Sequence, residues 1–226
     1  MSSAALHALP ASGWMTENIG LTATSNPATV AAYASQFGTV SNRDGSSVWP
    51  VTARVDSGTF SMTAAEAPLH TDAQYRDDPE DAFVLACVRP AFAGGDSIIL
   101  SVADLVDTLA ARPDWLELKS VLTAAMWRWR TPAVFGGPLS NTPVPVLNYR
   151  GDGSPVMRWR FDNLIPDERY SWAADIVAHV AATHPSTKLL RLEAGQVLVC
   201  DNTTVLHGRT AFTDARRMLW RVRVHR

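Results

Sequence analysis

Short apolar runs closed off by Gly, Pro, Asn or Asp dominate this chain: AFVLACV, SIILSV, AMWRWRT, PVLNY, VMRWRF, KLLRL, GQVLVC and MLWRVRV. Runs of this length and residue type, bounded by turn formers, predict β-strands. Eight of them beside few helices predict a mainly β chain of two packed sheets, the architecture of jelly rolls and cupins, whose mouths hold ligands or metals. Three helices are predicted. SNPATVAAYASQFG has Asn26 as a cap, Pro27 in the first turn and Gly38 to close it, and is expected to pack outside the core. SVADLVDTLAAR starts at a Ser101 cap and stops before Pro113, with Asp104 and Asp107 on a solvated face; DERYSWAADIVAHVAATH puts Trp172, Ile176, Val177 and Val180 on one face.

Three segments alternate arginine with tryptophan or valine: Trp127-Arg128-Trp129-Arg130, Arg158-Trp159-Arg160 and Trp220-Arg221-Val222-Arg223. Period two in a strand sorts the arginines onto one face. Either that face is solvated, or helices cover the tryptophans and the arginines look inward. In the second case each arginine needs an anion, because an unpaired buried charge is very costly.

At 226 residues and 46% hydrophobic, with no composition shift, the chain is expected to be one domain spanning 1–226, large enough to enclose a core. A net charge of -2 gives no footprint for nucleic acid or an anionic membrane, although 18 arginines outnumber two lysines. The N-terminus lacks a basic segment followed by an apolar one, and no stretch of 18 apolar residues occurs, so a cytoplasmic protein is expected. Cys87 and Cys200 sit in apolar runs and read as buried strand residues rather than a redox or zinc pair.

One polar stretch, PLHTDAQY, sets His70 two residues before Asp72. In an extended strand both would point to one face and could share a metal ion. Chance alone yields roughly 0.4 such pairs in a chain of this composition, so the pair needs a further ligand to carry meaning. His7 and His225 lie near the termini, His179 falls inside the third helix and His184 stands beside Pro185; these read as structural or exposed. His207 differs, because GQVLVCDNTTVLHGRTAF predicts a strand, a turn at Asp201 and Asn202, and a return strand carrying the histidine. Two imidazoles and a carboxylate with open positions opposite suit non-haem Fe(II), and the same set suits zinc.

Taken in order, LHTD at 69–72, FVLACVRPAFAGGDSIILSVADLVDTL and VLVCDNTTVLHGRTAFTDARRMLWR resemble the taurine dioxygenase-like (TauD/TfdA) branch of Fe(II)/2-oxoglutarate-dependent oxygenases, over about residues 60–226. The first 60 residues read as an N-terminal cap that matches the family only weakly. The resemblance implies a double-stranded β-helix, His70, Asp72 and His207 as the catalytic iron ligands, and Fe(II), 2-oxoglutarate and O2 as cofactor and co-substrates. It places Arg217 and Ser97 at the far carboxylate of 2-oxoglutarate, which an arginine fork can hold bidentately. Arg221, four residues on, is implied to meet a substrate anion. The reaction implied is hydroxylation of an unactivated C–H of a small polar substrate, an amino acid or a natural-product intermediate, with release of succinate and CO2. The same cofactors also serve desaturation, cyclisation and epimerisation. Halogenating relatives have a small residue where this chain has Asp72.

The substrate side is expected to be lined by the AAEAPL segment, Gln74, Tyr75, the WRTPAVFGGPLSN loop and RWRFDN, with Glu66 as a partner for a substrate ammonium or guanidinium. Gly94 and Gly95 read as turn formers, and Asp201 and Asn202 as turn-makers or as groups that orient a ligand. Arg209 either shares the face of His207 or is structural. A short N-terminal region leaves a more open site, which suits a larger, carrier-bound substrate. Two other classes stay open: a non-catalytic small-acid-binding module, and a zinc hydrolase, which would not need Arg217 with Ser97.

Overall fold

The protein is described by a computed structural model covering residues 6–43, 45–54, 60–132 and 142–226. Its elements run β1 (Trp14–Asn18), α1 (Pro27–Ala34), β2 (Thr39–Val40), β3 (Trp49–Val51), β4 (Ala67–His70), β5 (Ala82–Arg89), β6 (Ser97–Ser101), α2 (Val102–Ala110), α3 (Trp115–Thr123), β7 (Leu147–Tyr149), β8 (Pro155–Met157), α4 (Ser171–Thr183), β9 (Lys188–Leu190), β10 (Gln196–Asp201), β11 (Val205–Arg209) and β12 (Met218–His225). Two antiparallel sheets carry the fold. The larger has the order β1-β10-β5-β12-β2 with β3 also on β12; the smaller has the order β4-β11-β6-β9, and β7 pairs β8 apart from both. Neither sheet closes into a barrel among the described residues, and the arrangement is a double-stranded β-helix.

Period two along the strands sorts residues between layers. On β5, Ala82, Val84, Ala86 and Val88 face α1, while Phe83 and Cys87 face the space between the sheets. On β12, Trp220, Val222 and Val224 join the α1 layer and Leu219 the inner one. The arginines of β12 therefore look inward and its tryptophan outward under a helix. On the far side, Leu100 of β6 and Leu206 of β11 join α2, α3 and α4 in a cluster that buries Trp127, Trp129 and Trp159.

Several local expectations change. α1 does not lie outside the core, since Val30 and Ala34 are fully buried against the sheet; Asn26 caps it by accepting the Ala28 N–H at 2.9 Å. Ser101 caps α2 as expected, through the Ala103 N–H at 3.1 Å. On α4 the most deeply buried face is Ala173, Ala174, Val177 and Ala181, with Trp172, Ile176 and Val180 only partly covered. Small residues let that helix approach its neighbours closely. AMWRWRT is not a strand: Trp127 and Trp129 make isolated bridges to Val144 and Leu164, and their indoles donate to the carbonyls of Val121 and Arg160. Sequence reading also missed β1, β2 and β3, which are short or polar, and α3, whose start after Pro113 and Asp114 reads as a loop.

Candidate active site

His70 is the last residue of β4 and stands directly opposite His207 of β11 in the strand register. Residues paired across a ladder point the same way, so the two rings meet, their centroids 4.4 Å apart. The strand was expected to continue through Asp72, but it ends at His70, and Asp72 lies in a turn followed by Ala73 at φ +57°. Partners from outside the ladder hold this turn. Thr71 N–H donates to the Trp159 carbonyl at 2.7 Å and Trp159 N–H donates to the Thr71 hydroxyl at 3.0 Å. The Asn202 amide holds the backbone of Asp72 itself.

The Asp72 carboxylate is thereby aimed at the histidines, with Oδ1 3.9 Å from Nε2 of both His70 and His207. One ligand atom from each residue fits within a 4.8 Å span. Adjacent ligands around one ion bound at ~2.1 Å stand roughly 3 Å apart, a small side-chain adjustment from this geometry. His70 Nδ1 donates to the Pro68 carbonyl at 2.7 Å, which fixes the tautomer and turns an Nε2 lone pair to the centre. His207 Nδ1 is buried without a hydrogen-bond partner among the described residues.

The charges suit a cation. Burial, with the Arg160 charge added, lowers His70 to about 4, and burial together with His70 holds His207 well below the usual histidine range. Both imidazoles are thus neutral donors at pH 7. Burial alone would raise Asp72, but Arg221 and then Arg223 hold it well below the usual carboxylate range. Arg221 Nη1 reaches Asp72 Oδ2 at 2.9 Å, and Arg223 Nε lies 3.5 Å from the same oxygen. The inward arginines have met their anion, and it is the metal-site carboxylate.

A cavity of about 750 Å³, counting its open mouth, joins this centre to Ser97, Arg209 and Arg217. Arg217 is 3% exposed, donates to the Gly95 carbonyl at 3.0 Å, and has Nη1 buried without a hydrogen-bond partner among the described residues. Gly95, at φ +73°, leaves room for it: a Cβ there would sit 2.7 Å from Arg217 Nε. The glycine is therefore more than a turn former. Arg209 is buried and donates to the carbonyls of Thr63 and Ala65, so it pins the segment leading into β4. A buried guanidinium with an open donor, beside a hydroxyl and in reach of a metal centre, fits a keto diacid chelated at the ion.

Of the expected substrate residues, Tyr75 and Arg221 line the cavity. Glu66 does not: it is exposed, on the opposite side of the chain from Ala67, which does line it. Gln74 is fully buried behind the wall, donating to Asn163 Oδ1 at 3.0 Å, and does not reach the cavity. Most of the WRTPAVFGGPLSN loop, residues 133–141, lies outside the described residues. Arg160, within the expected RWRFDN lining, and Arg223, marked by the same alternation as Arg221, line the cavity as well. His179 is exposed, His184 bonds to Thr108 at 2.7 Å, and Cys87 and Cys200 are buried and unpaired, so none belongs to the centre.

Two imidazoles and one carboxylate between the strands of a double-stranded β-helix fit a mononuclear non-haem iron site, and the buried arginine fork in the same cavity fits the class of Fe(II)- and 2-oxoglutarate-dependent oxygenases. A family model described as taurine catabolism dioxygenase TauD, TfdA family matches residues 18–223. The chain belongs to that family, and the match takes in most of the first 60 residues. No curated protein matches the chain in sequence. Among solved structures it is similar to an asparagine oxygenase in complex with Fe(II), 2S,3S-3-hydroxyasparagine and succinate, at 20% identity and TM-score 0.79, covering 95% of this chain and 74% of that one. It is similar to the non-heme iron oxygenase OrfP in complex with Fe and alpha-ketoglutaric acid, at 20% identity and TM-score 0.66, covering 85% and 62%. The PvcB protein from Pseudomonas aeruginosa aligns at 19% identity and TM-score 0.66, covering 95% and 76%. No helix among the described residues is long and apolar enough to cross a membrane.

Proposed function

We propose that this enzyme hydroxylates an unactivated C–H of a small amino acid or amino-acid-derived intermediate that carries a free carboxylate. The observation that carries the reading is that one cavity contains both the His70, Asp72 and His207 cluster and a buried Arg217 with an open donor. His70 and His207 offer neutral nitrogens and Asp72 an anionic oxygen, which together would hold the ferrous ion. Arg217, with the Ser97 hydroxyl, would hold the far carboxylate of 2-oxoglutarate and so orient its keto acid end toward the metal. Bound together, ferrous ion and 2-oxoglutarate supply the oxidising chemistry, in which O2 and the keto acid become succinate and CO2 and one oxygen atom passes to the substrate.

The free carboxylate suits the charge of the cavity wall, where, among the described residues, Arg160, Arg209, Arg217, Arg221 and Arg223 stand against the single carboxylate of Asp72, to which Arg221 is already paired. A carrier-bound thioester would lack that anion. The asparagine and arginine products held by the similar structures lend support to an amino-acid substrate. With Glu66 outside the cavity, the substrate's ammonium group finds no partner in that residue.

The test starts with anaerobic addition of Fe(II) and 2-oxoglutarate, which should give a weak visible charge-transfer band that Arg217→Ala abolishes. Free amino acids, their amides and carrier thioesters are then screened in air for substrate-dependent succinate. A metal site that binds Zn(II) and hydrolyses esters, with no charge-transfer band and no succinate, would transfer the protein to a hydrolase class.

A further inference from the structure

Asn202 is 3% exposed, and every polar atom of its side chain is spent on backbone. Oδ1 accepts the Asp72 N–H at 2.7 Å, while Nδ2 donates to the Asp72 carbonyl at 3.0 Å and to the Glu80 carbonyl at 2.8 Å. One planar amide thus replaces the strand that Asp72 lacks, because β4 has stopped two residues earlier. A carboxylate of the same shape would accept the N–H but would also face two carbonyl oxygens. An apolar residue would leave three buried backbone groups without the amide that pairs them.

The place of Asn202 in the chain matters as much as its bonds. It lies in the turn between β10 and β11, five residues before His207, and its own N–H donates to the Asp81 carbonyl at 2.7 Å. The neighbouring Asp201 shapes the same turn differently. Its Oδ1 accepts from Thr203 N–H at 2.8 Å and Thr204 N–H at 3.1 Å, and its Oδ2 faces Arg150 and Arg226. None of those contacts touches Asp72. One turn therefore contains a residue that builds the hairpin and a residue that fastens the hairpin to a metal ligand 130 positions away in sequence.

We propose that Asn202 is the positioning residue of the metal carboxylate, acting through the Asp72 backbone to fix the distance between Asp72 and His207. Resting on the iron-site reading above, the proposal adds that metal affinity is set from the β10–β11 turn as well as by the three ligands. Outer partners of metal ligands typically govern affinity by about 10–100-fold.

The experiment compares Asn202→Ala, Asn202→Asp and Asp201→Ala with the wild-type chain, using anaerobic Co(II) titration with its visible spectrum and thermal unfolding of the metal-free proteins. Both Asn202 variants should bind Co(II) at least tenfold more weakly with an altered ligand-field spectrum, and should turn over more 2-oxoglutarate per substrate oxidised. Asp201→Ala should lower the unfolding temperature while keeping wild-type Co(II) affinity and spectrum. Wild-type affinity and spectrum in Asn202→Ala would overturn the proposal, as would an equal loss of affinity in Asp201→Ala, which would make the effect one of hairpin stability. If neither Asn202 variant folds, the amide is a requirement of the fold and the positioning role falls. Failure of the wild-type chain to bind Co(II) would instead overturn the iron-site reading itself.

Discussion

His70 and His207 occupy the same register position on two neighbouring strands, so their convergence is a property of the β4–β11 ladder rather than of any loop. Ligands carried by paired strands lose little conformational freedom when an ion binds, because the backbone has already set their direction. Gly208 follows His207 where a Cβ would meet the Ala67 carbonyl at 2.5 Å, which keeps the two strands close. Exchanging His207 for alanine should therefore weaken Co(II) binding at least 100-fold while the metal-free protein still folds. Anaerobic titration checks this, and full metal retention would remove His207 from the ligand set.

The Asp72–Arg221 pair gives a stability prediction independent of iron. Both side chains are about nine-tenths buried, and removing one member of such a pair commonly costs about 3–5 kcal/mol. Asp72→Asn should lose roughly that much in denaturant unfolding of the metal-free protein. Adding Arg221→Gln should recover part of the loss, since the two residues touch and their effects are not additive.

Gly95→Ala separates the co-substrate site from the metal site. The new methyl would lie 2.7 Å from Arg217 Nε and 2.9 Å from Cδ, on a backbone at φ +73° that resists a side chain. The KM for 2-oxoglutarate should rise tenfold or more, with Co(II) affinity unchanged. An unaltered KM would mean that Arg217 does not hold the keto diacid.

Ser97→Ala should have the milder effect of one lost hydroxyl, a KM increase of about 2–10-fold for 2-oxoglutarate, consistent with about 0.5–1.5 kcal/mol for a single hydrogen bond. Steady-state kinetics with 2-oxoglutarate varied at saturating Fe(II) reads it directly.

The buried histidines set the acid limit of the metal-free fold. An unfolded chain protonates His70 near 6.5, whereas in the folded protein that proton binds only near 4. Between those values protons favour the unfolded chain, so stability falls as pH drops from about 6.5 toward 4, by up to about 1.4 kcal/mol per pH unit for each histidine. His207 shifts in the same direction. Asp72 adds stability above the ordinary carboxylate range that is lost as pH falls through its lowered value. Urea unfolding at pH 7 and pH 5 should show the loss, and His70→Gln should reduce it.

Particular residues show how much could be read in advance. That His70, Asp72, His207 and Arg217 would meet in one cavity was legible because their motif spacing is distinctive, and the inward arginines of β12 because period two is a property of any strand. The tryptophan segments near 127 and 159 carry the same alternation without forming strands at those tryptophans, since the indoles of Trp127 and Trp129 and the backbone of Trp159 find partners outside any ladder. Glu66 and Gln74 were misplaced for a simpler reason. Proximity in sequence to His70 says nothing of direction: the turn at Asp72 sends Gln74 into the wall, and a register shift in the β4–β11 pairing puts Ala67 on the cavity side with His70 and leaves Glu66 outside. Asn202 was visible only as a turn residue, because its partner is far away in sequence.

The strict alternation on β12 has a consequence for how this enzyme can change. Inserting or deleting a single residue there would exchange the two faces, driving arginines into the apolar layer beneath α1 and swinging Trp220 toward the cavity that holds His70, Asp72 and His207. Along this strand the cavity wall can therefore be reshaped by point replacement at the inward sites, 221 and 223, and not by a change in the strand's length.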